Sequence, residues 1–214
     1  MNKYRQMGIR IAISMGVGVL VAAIALAVAW RNIGGMSNIW PEQWATHRAI
    51  GTIEDIIQMH RATTKTLPKS LEDLRPVGVN WADLHWDESG KLLDGWKRPL
   101  VYSTDGTSCT IVSYGRDGQP GGIGIDSDLS SSLPSPETTK PTFVQFLFNP
   151  RARGIVATCL ACGLGAFWVS MVTVTPSALH GWAIVALLVK LALTVLGALV
   201  ASFFMSIFHI PNHH

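Results

Sequence analysis

Thr110-Ile111-Val112-Ser113-Tyr114-Gly115-Arg116-Asp117-Gly118-Gln119-Pro120-Gly121-Gly122-Ile123-Gly124-Ile125-Asp126-Ser127-Asp128 changes character halfway along. Its first five residues are β-branched, small or aromatic, the habit of a strand. The remainder carries five glycines and a proline, which predicts a loop without regular structure. Three aspartates, Asp117, Asp126 and Asp128, bracket that loop. A hard cation such as Ca²⁺ takes six to eight oxygens at roughly 2.3–2.6 Å, and a flexible loop supplies them from carboxylates at its ends and carbonyls between. The spacing is not that of an EF-hand. On spacing alone a solvated polar turn is the competing reading.

Upstream, Leu100 to Ser103 and Ser108 to Tyr114 flank Thr104-Asp105-Gly106-Thr107, and the Asp-Gly pair predicts a β-hairpin closed by a type I′ turn. Further upstream, Ala49, Ile50, Ile53, Ile56, Ile57 and His60 recur at three- and four-residue steps, so residues 46–64 read as an amphipathic helix. After Pro68, the run Ser70-Leu71-Glu72-Asp73-Leu74 predicts a short second helix with Ser70 as N-cap, stopped by Pro76; a loop follows through Gly90. Downstream, residues 130–142 are rich in Ser, Pro and Thr and read as a mobile linker.

Beyond this middle third the chain is greasy. Of 214 residues only 14% are charged, and mean hydropathy is +0.29, too apolar for an ordinary soluble domain. The excess sits in residues 11–30, 154–174 and 182–208, each long enough at about 1.5 Å per residue to cross a hydrocarbon core of roughly 30 Å. The division expected is a basic tail (1–10), a first span (11–30), a soluble domain (31–130), a linker (131–150), a helical hairpin in the membrane (151–208) and a tail (209–214). Lys190, the one charge in the third span, lies near its entrance and is expected to snorkel. Cys159 and Cys162 form a C-x-x-C inside an apolar span and read as small packing residues rather than a redox or metal pair; Cys109 stands in a strand. Gly163 and Gly165 would let another helix approach closely.

Lys3, Arg5 and Arg10 precede the first span, which places the N-terminus in the cytoplasm and the soluble domain outside; Arg151 and Arg153, flanking the second span on the outer side, speak against it. The first segment is longer than a usual cleaved signal and reads as an uncleaved anchor. The net charge of +3 is scattered, with no basic stripe, so nucleic acid is not an expected partner. No G-x-S-x-G, H-E-x-x-H, P-loop or dinucleotide fingerprint occurs, and neither an enzyme nor a small-molecule substrate is expected. Glu54-Asp55 and Asp87-Glu88 fall on solvated faces. His47, His60 and His85 are isolated, and His209, His213 and His214 lie in a tail behind Pro211. Trp81, Trp86 and Trp96 are expected to pack in the domain, while Trp30, Trp168 and Trp182 suit the membrane interface.

The blocks Asp94-Gly95-Trp96-Lys97-Arg98-Pro99-Leu100-Val101-Tyr102, Thr110 to Gly122 and Asp126-Ser127-Asp128-Leu129, with the helix ending at Leu67-Pro68, resemble the C-terminal domain of the major pseudopilin (the G subunit) of type II secretion systems. The match covers roughly residues 45–130. It implies an α+β fold, with an N-terminal helix packed on a small antiparallel sheet and a calcium-binding loop, here joined to three transmembrane α-helices. It also implies Ca²⁺ held by the side chains of Asp117, Asp126 and Asp128 and by backbone carbonyls near Tyr114 and Gly124. The location implied is the bacterial cytoplasmic membrane, with membrane lipid and secretion or pilus components as partners. Members of that family carry a short basic leader ending in glycine and a glutamate at the fifth mature position. Here cleavage after Gly8 would put Ile13 at that place. The expectation is therefore a membrane-anchored, calcium-stabilised, non-catalytic binding or scaffold component related to type II secretion. The alternative is a genuine pseudopilin subunit processed after Gly8.

Overall fold

The computed structural model describes residues 3–74, 84–133, 137–174 and 182–208. The chain divides into two compact units, Gly35–Gln145 and the pair of segments Met1–Gly34 and Phe146–His214. Expectations for Pro76, Trp81, the connection around residues 176–181 and the tail from His209 lie outside the described residues.

Unit Gly35–Gln145 is built on a helix that the isoleucine spacing dictates. After α1 (Lys3–Ile33), which belongs to the other unit, α2 runs Pro41–Thr64, five residues longer at its start than the amphipathic pattern alone reads. Pro41 explains the extension, since a proline in the first turn loses no hydrogen bond that a helix would make. Lys65 ends α2 in the left-handed region, φ 63°, its N–H donating to the Arg61 carbonyl. Ile53, Ile56 and Ile57 are almost wholly buried along one stripe, each contributing about 1.5–3 kcal/mol relative to exposure. Leu71 and Leu74 of a 3₁₀ turn, Leu71–Leu74, close one side of the same core. Asp73 supports the start of that turn at Ser70: its Oδ2 reaches back to accept from the N–H groups of Lys69 and Ser70 at 3.0 Å each.

Two small antiparallel sheets cover the rest of the core. β1 (His85–Trp86) pairs with β2 (Leu92–Leu93), a hairpin within a stretch read from sequence as partly loop. β3 (Val101–Thr104), β4 (Cys109–Ser113) and β5 (Leu129–Ser130) form the second sheet in that order. Tyr102 faces Ile111, and alternation turns Ile111 and Ser113 inward toward the helix. Strand β5 and a 3₁₀ turn at Gly124–Asp126 replace irregular loop, because the glycines bend the chain back far enough for Leu129 to reach β4. The hairpin turn is not type I′. That turn needs positive φ at both central residues, whereas only Gly106 has it (87°). A four-residue loop forms instead, because the Asp105 Oδ1 atom accepts from the N–H groups of Thr107 (2.8 Å) and Ser108 (2.7 Å). The supposed linker is packed in part: Thr139 is buried and its carbonyl accepts from Gln43 Nε2 at 2.7 Å.

Among the described residues the other unit holds three helices long and apolar enough to cross a membrane: α1, residues Pro150–Thr173 and residues Ile184–Ala201. The last two lie in α4 (Arg153–Thr173), entered through a 3₁₀ turn, and α5 (Ala183–Phe208); α3 (Phe143–Phe148) precedes them. Helices α1 and α4 meet through glycine. A Cβ added at Gly18 would come within 2.9 Å of the Gly163 carbonyl oxygen, and one at Gly163 within 2.7 Å of both the Gly18 carbonyl oxygen and Ala22 Cβ. Gly18 also lies against Phe167, so advance along α1 goes with retreat along α4 and the two run antiparallel. Gly165 meets nothing and takes no part in the seam. Cys159 is buried in α4 and Cys162 half-buried. Trp168 and Trp182 are exposed.

Candidate functional site

The glycine-rich loop rests on the turn that precedes the sheet. Asp94 is buried, with Oδ1 accepting from the N–H groups of Trp96 and Arg98 at 2.9 Å each and Oδ2 from Ser113 Oγ at 2.6 Å. This one carboxylate ties turn 94–98 to β4. Gly95 lets the turn press on the first turn of α2, where a Cβ would collide with the Glu42 carbonyl, and its N–H donates to Thr46 Oγ1 at 2.9 Å. Lys97 sits at φ 64°. Arg98 then reaches the loop itself, its Nη1 donating to the Gly115 carbonyl at 2.8 Å. Tyr102, two residues into β3, donates its hydroxyl to the Pro68 carbonyl at 2.8 Å. Sequence reasoning missed the role of Asp94, because a lone aspartate beside glycine reads as a solvated turn.

Within the loop, left-handed backbone at Gly115, Gly118, Gly121, Gly122 and Gly124 folds the chain tightly. Gly122 has room only because it lacks a side chain; a Cβ there would strike the Asp126 carbonyl. The Arg116 N–H donates to the Ile125 carbonyl at 2.9 Å and the Gly118 N–H to the Tyr114 carbonyl at 3.1 Å. Gln145, at the end of the unit, braces the loop: its Nε2 donates to the Ile123 carbonyl and to Asp126 Oδ2, both at 3.1 Å, and its Oε1 accepts from Thr142 N–H at 2.9 Å.

Each of the three candidate aspartates has its own local partner. Asp117 Oδ1 accepts from Gln119 N–H at 3.1 Å. Asp126 is gripped from two sides by Arg116, Nε to Oδ1 at 2.8 Å and Nη2 to Oδ2 at 2.9 Å, in addition to Gln145. Asp128 Oδ2 accepts from Gly121 N–H at 3.0 Å, while its Oδ1 is buried without a hydrogen-bond partner. Among the described residues no group of three His, Cys, Asp or Glu side chains lies close enough to hold a metal ion. The Gly124 carbonyl accepts from Ser127 N–H at 3.3 Å.

This geometry bears on an ion in two opposing ways. A buried carboxylate oxygen without a partner, Asp128 Oδ1, is unfavourable without a cation or donor, and that atom favours an ion at the loop. Arg116 meanwhile supplies a guanidinium where a metal would otherwise neutralise Asp126. That pair is half-exposed on the arginine side and so is worth only about 0–1 kcal/mol, little enough for a divalent ion to displace. Sequence reasoning overlooked Arg116. The signal was a lone cation set among three carboxylates.

Other candidate residues have ordinary settings. Glu54 and Asp55 are exposed on α2; partial burial and then the neighbouring Asp55 push the Glu54 carboxyl up. Half-burial pushes His47 down. Trp86 and Trp96 pack against the core.

Comparison with known proteins places these features. No solved structure matches the chain. The family model described as "Type II secretion system (T2SS), protein G" matches residues 41–132, a range that lies within the unit Gly35–Gln145. Type II secretion system core protein G of Xanthomonas campestris pv. campestris is 30% identical over 119 residues, which cover 52% of this chain and 79% of that protein. With its helix on a small antiparallel sheet and its glycine-rich loop, and on these two matches, the chain belongs to the type II secretion system protein G family, the pseudopilins.

Proposed function

We propose that this chain is a membrane-retained pseudopilin, a non-catalytic binding or scaffold component of type II secretion whose soluble unit is displayed on the outer face of the bacterial cytoplasmic membrane. The observation that carries the reading is the α1–α4 seam, where Gly18 and Gly163 bring two backbones into contact. A subunit that leaves the bilayer by withdrawing its N-terminal helix into a filament would first have to break that seam. If α4 and α5 left with α1, exposing them would cost on the order of tens of kcal/mol at roughly 25 cal/mol per Å² of apolar surface. Lys3, Arg5 and Arg10 before the first span support an N-terminus in the cytoplasm. The competing reading, a filament subunit processed after Gly8, is tested on protein purified from cells with and without the prepilin peptidase. The retained form keeps Met1 to Gly8 in both strains and stays in the membrane fraction. A shortened N-terminus together with co-purification in filaments overturns the proposal.

Calcium stabilisation is part of the same reading. The ion would be held by Asp117, Asp126 and Asp128 and by backbone carbonyls from near Tyr114 and Gly124. It is supported by the orphaned Asp128 Oδ1 and by the glycine turns. Bound calcium would neutralise the carboxylates and brace the loop. The melting temperature of the full chain in detergent should rise with Ca²⁺ and not with Mg²⁺, and Asp126→Ala with Asp128→Ala should abolish the rise. A flat response to Ca²⁺ removes the metal site and leaves the retention proposal standing.

A further inference from the structure

Helices α4 and α5 are joined by a short connection and therefore run antiparallel. Between them lies a groove of about 350 Å³, lined by Cys162, Ala166 and Val169 on one side and Leu193, Gly197 and Ala201 on the other. Apart from Leu187, the described side chains of α5 are exposed or half-buried, so the groove opens outward to the hydrocarbon of a bilayer. Lys190 stands one turn before Leu193 on the same helical face, at the end of the groove nearest the last turn of α4, which ends at Thr173. Its side chain is exposed, and the Thr194 hydroxyl one turn on is spent on the Lys190 carbonyl at 2.9 Å.

Arg10 arrives at the same level by a separate route. It precedes Gly18 by about two turns, and Gly18 packs on Gly163 and Phe167, so the antiparallel register sets Arg10 level with the end of α4 as well. The unit made of residues 1–34 and 146–214 contains no Asp or Glu at all. One rim of the bundle thus carries two cations from two helices with no internal counter-ion, above an apolar groove narrow enough for a hydrocarbon chain. Each feature alone has an ordinary explanation in snorkelling or helix packing. Their coincidence at one height specifies an amphiphile with an anionic head and an apolar tail.

We infer that the Lys190 and Arg10 rim with the α4–α5 groove is a binding site for an anionic phospholipid, the phosphate on the two cations and one acyl chain in the groove. Charge complementarity selects the head, and the small groove residues admit the tail. Each basic residue near a membrane surface should raise affinity for an anionic lipid about fivefold.

The test uses the full chain in vesicles of phosphatidylglycerol and phosphatidylcholine in equal parts, with a trace of either lipid spin-labelled on its acyl chain. Native protein should immobilise labelled phosphatidylglycerol at least about fivefold more than labelled phosphatidylcholine. Lys190→Gln and Arg10→Gln should each lower that preference, and the double variant should bring it close to one, whereas Lys190→Arg should preserve it. Gly197→Leu, which fills the groove, should reduce immobilisation of both lipids without altering the head-group preference. Equal immobilisation of the two lipids by native protein overturns the proposal, as does a preference unchanged in the double glutamine variant. Should a glutamine variant misfold, a preference in the arginine variant matching native protein while Gly197→Leu loses no immobilised lipid also overturns the groove.

Discussion

Removing the Asp94 carboxylate should make the unit Gly35–Gln145 unfold more readily. Asp94→Ala leaves the N–H groups of Trp96 and Arg98 and the Ser113 hydroxyl without the oxygens that now accept from them at 2.9, 2.9 and 2.6 Å. Hydrogen bonds to a charged group contribute about 1.5–3 kcal/mol each, and the three share one anchor, so the loss is on the order of 3–5 kcal/mol rather than their sum. With a urea slope of about 1–3 kcal/mol/M, the unfolding midpoint should fall by roughly 2 M. Asp94→Asn keeps an oxygen for the two N–H groups, and the Ser113 hydroxyl can turn to accept from the new amide, so its cost should be only about 1–2 kcal/mol. The assay is urea unfolding of the full chain in detergent, followed by tryptophan fluorescence, since Trp86 and Trp96 pack against the core. Exposed Asp55→Ala provides the baseline. The reasoning fails if Asp94→Ala shifts the midpoint no more than Asp55→Ala does, or if the alanine and asparagine variants behave alike.

Three further outcomes are expected. Arg116→Ala frees Asp126 from its guanidinium and should tighten Ca²⁺ binding up to about fivefold, measured by calorimetric titration, because the displaced pair is worth about 0–1 kcal/mol; unchanged or weaker binding would refute competition at Asp126. Gly18→Leu forces a side chain into the Gly163 backbone and should cost about 1–3 kcal/mol, seen as earlier heat-induced aggregation in detergent, while Gly165→Leu should be tolerated. The Ser108 N–H, followed by the hydroxyl and N–H of Thr107 and the Ser108 hydroxyl, holds Asp105 well below the usual carboxylate range. The folded state therefore binds fewer protons there than the unfolded chain. The stabilisation is fully present above the usual range and is lost as pH falls through the folded value, so protection of the Thr107 and Ser108 amides, taken relative to their intrinsic exchange rates, should fall only in strong acid, a dependence that Asp105→Asn removes.

What was legible in the sequence was whatever repeated. The isoleucine stripe of α2 and the three apolar spans rest on many residues each, so one misread position changes nothing. The Asp-Gly pair located the hairpin correctly, yet its turn type depends on whether a single carboxylate prefers nearby N–H groups, and Asp105 does. Strands β1 and β2 are two residues each, too short for any alternation to register. Gly163 and Gly165 looked equivalent as helix-packing residues, but two positions along a helix is more than half a turn, and only Gly163 faces α1. At the loop, three acidic residues drew attention to themselves and away from Arg116 and Gln145, whose hydrogen bonds to Asp126 span ten and nineteen residues of sequence. The lone cation among the carboxylates was a local cue for Arg116, whereas the contact of Gln145 leaves no local pattern.

The seam between Gly18 and Gly163 also fixes an order of events during biosynthesis. Roughly 145 residues separate the two positions, and at about 5–20 residues per second α1 waits on the order of ten seconds or more before its counterpart leaves the ribosome. Throughout that interval Gly18 and Ala22 are without the α4 surface on which they pack in the finished chain. The unit Gly35–Gln145 is synthesised within the same interval, so it emerges when only α1 of the three long helices has been made.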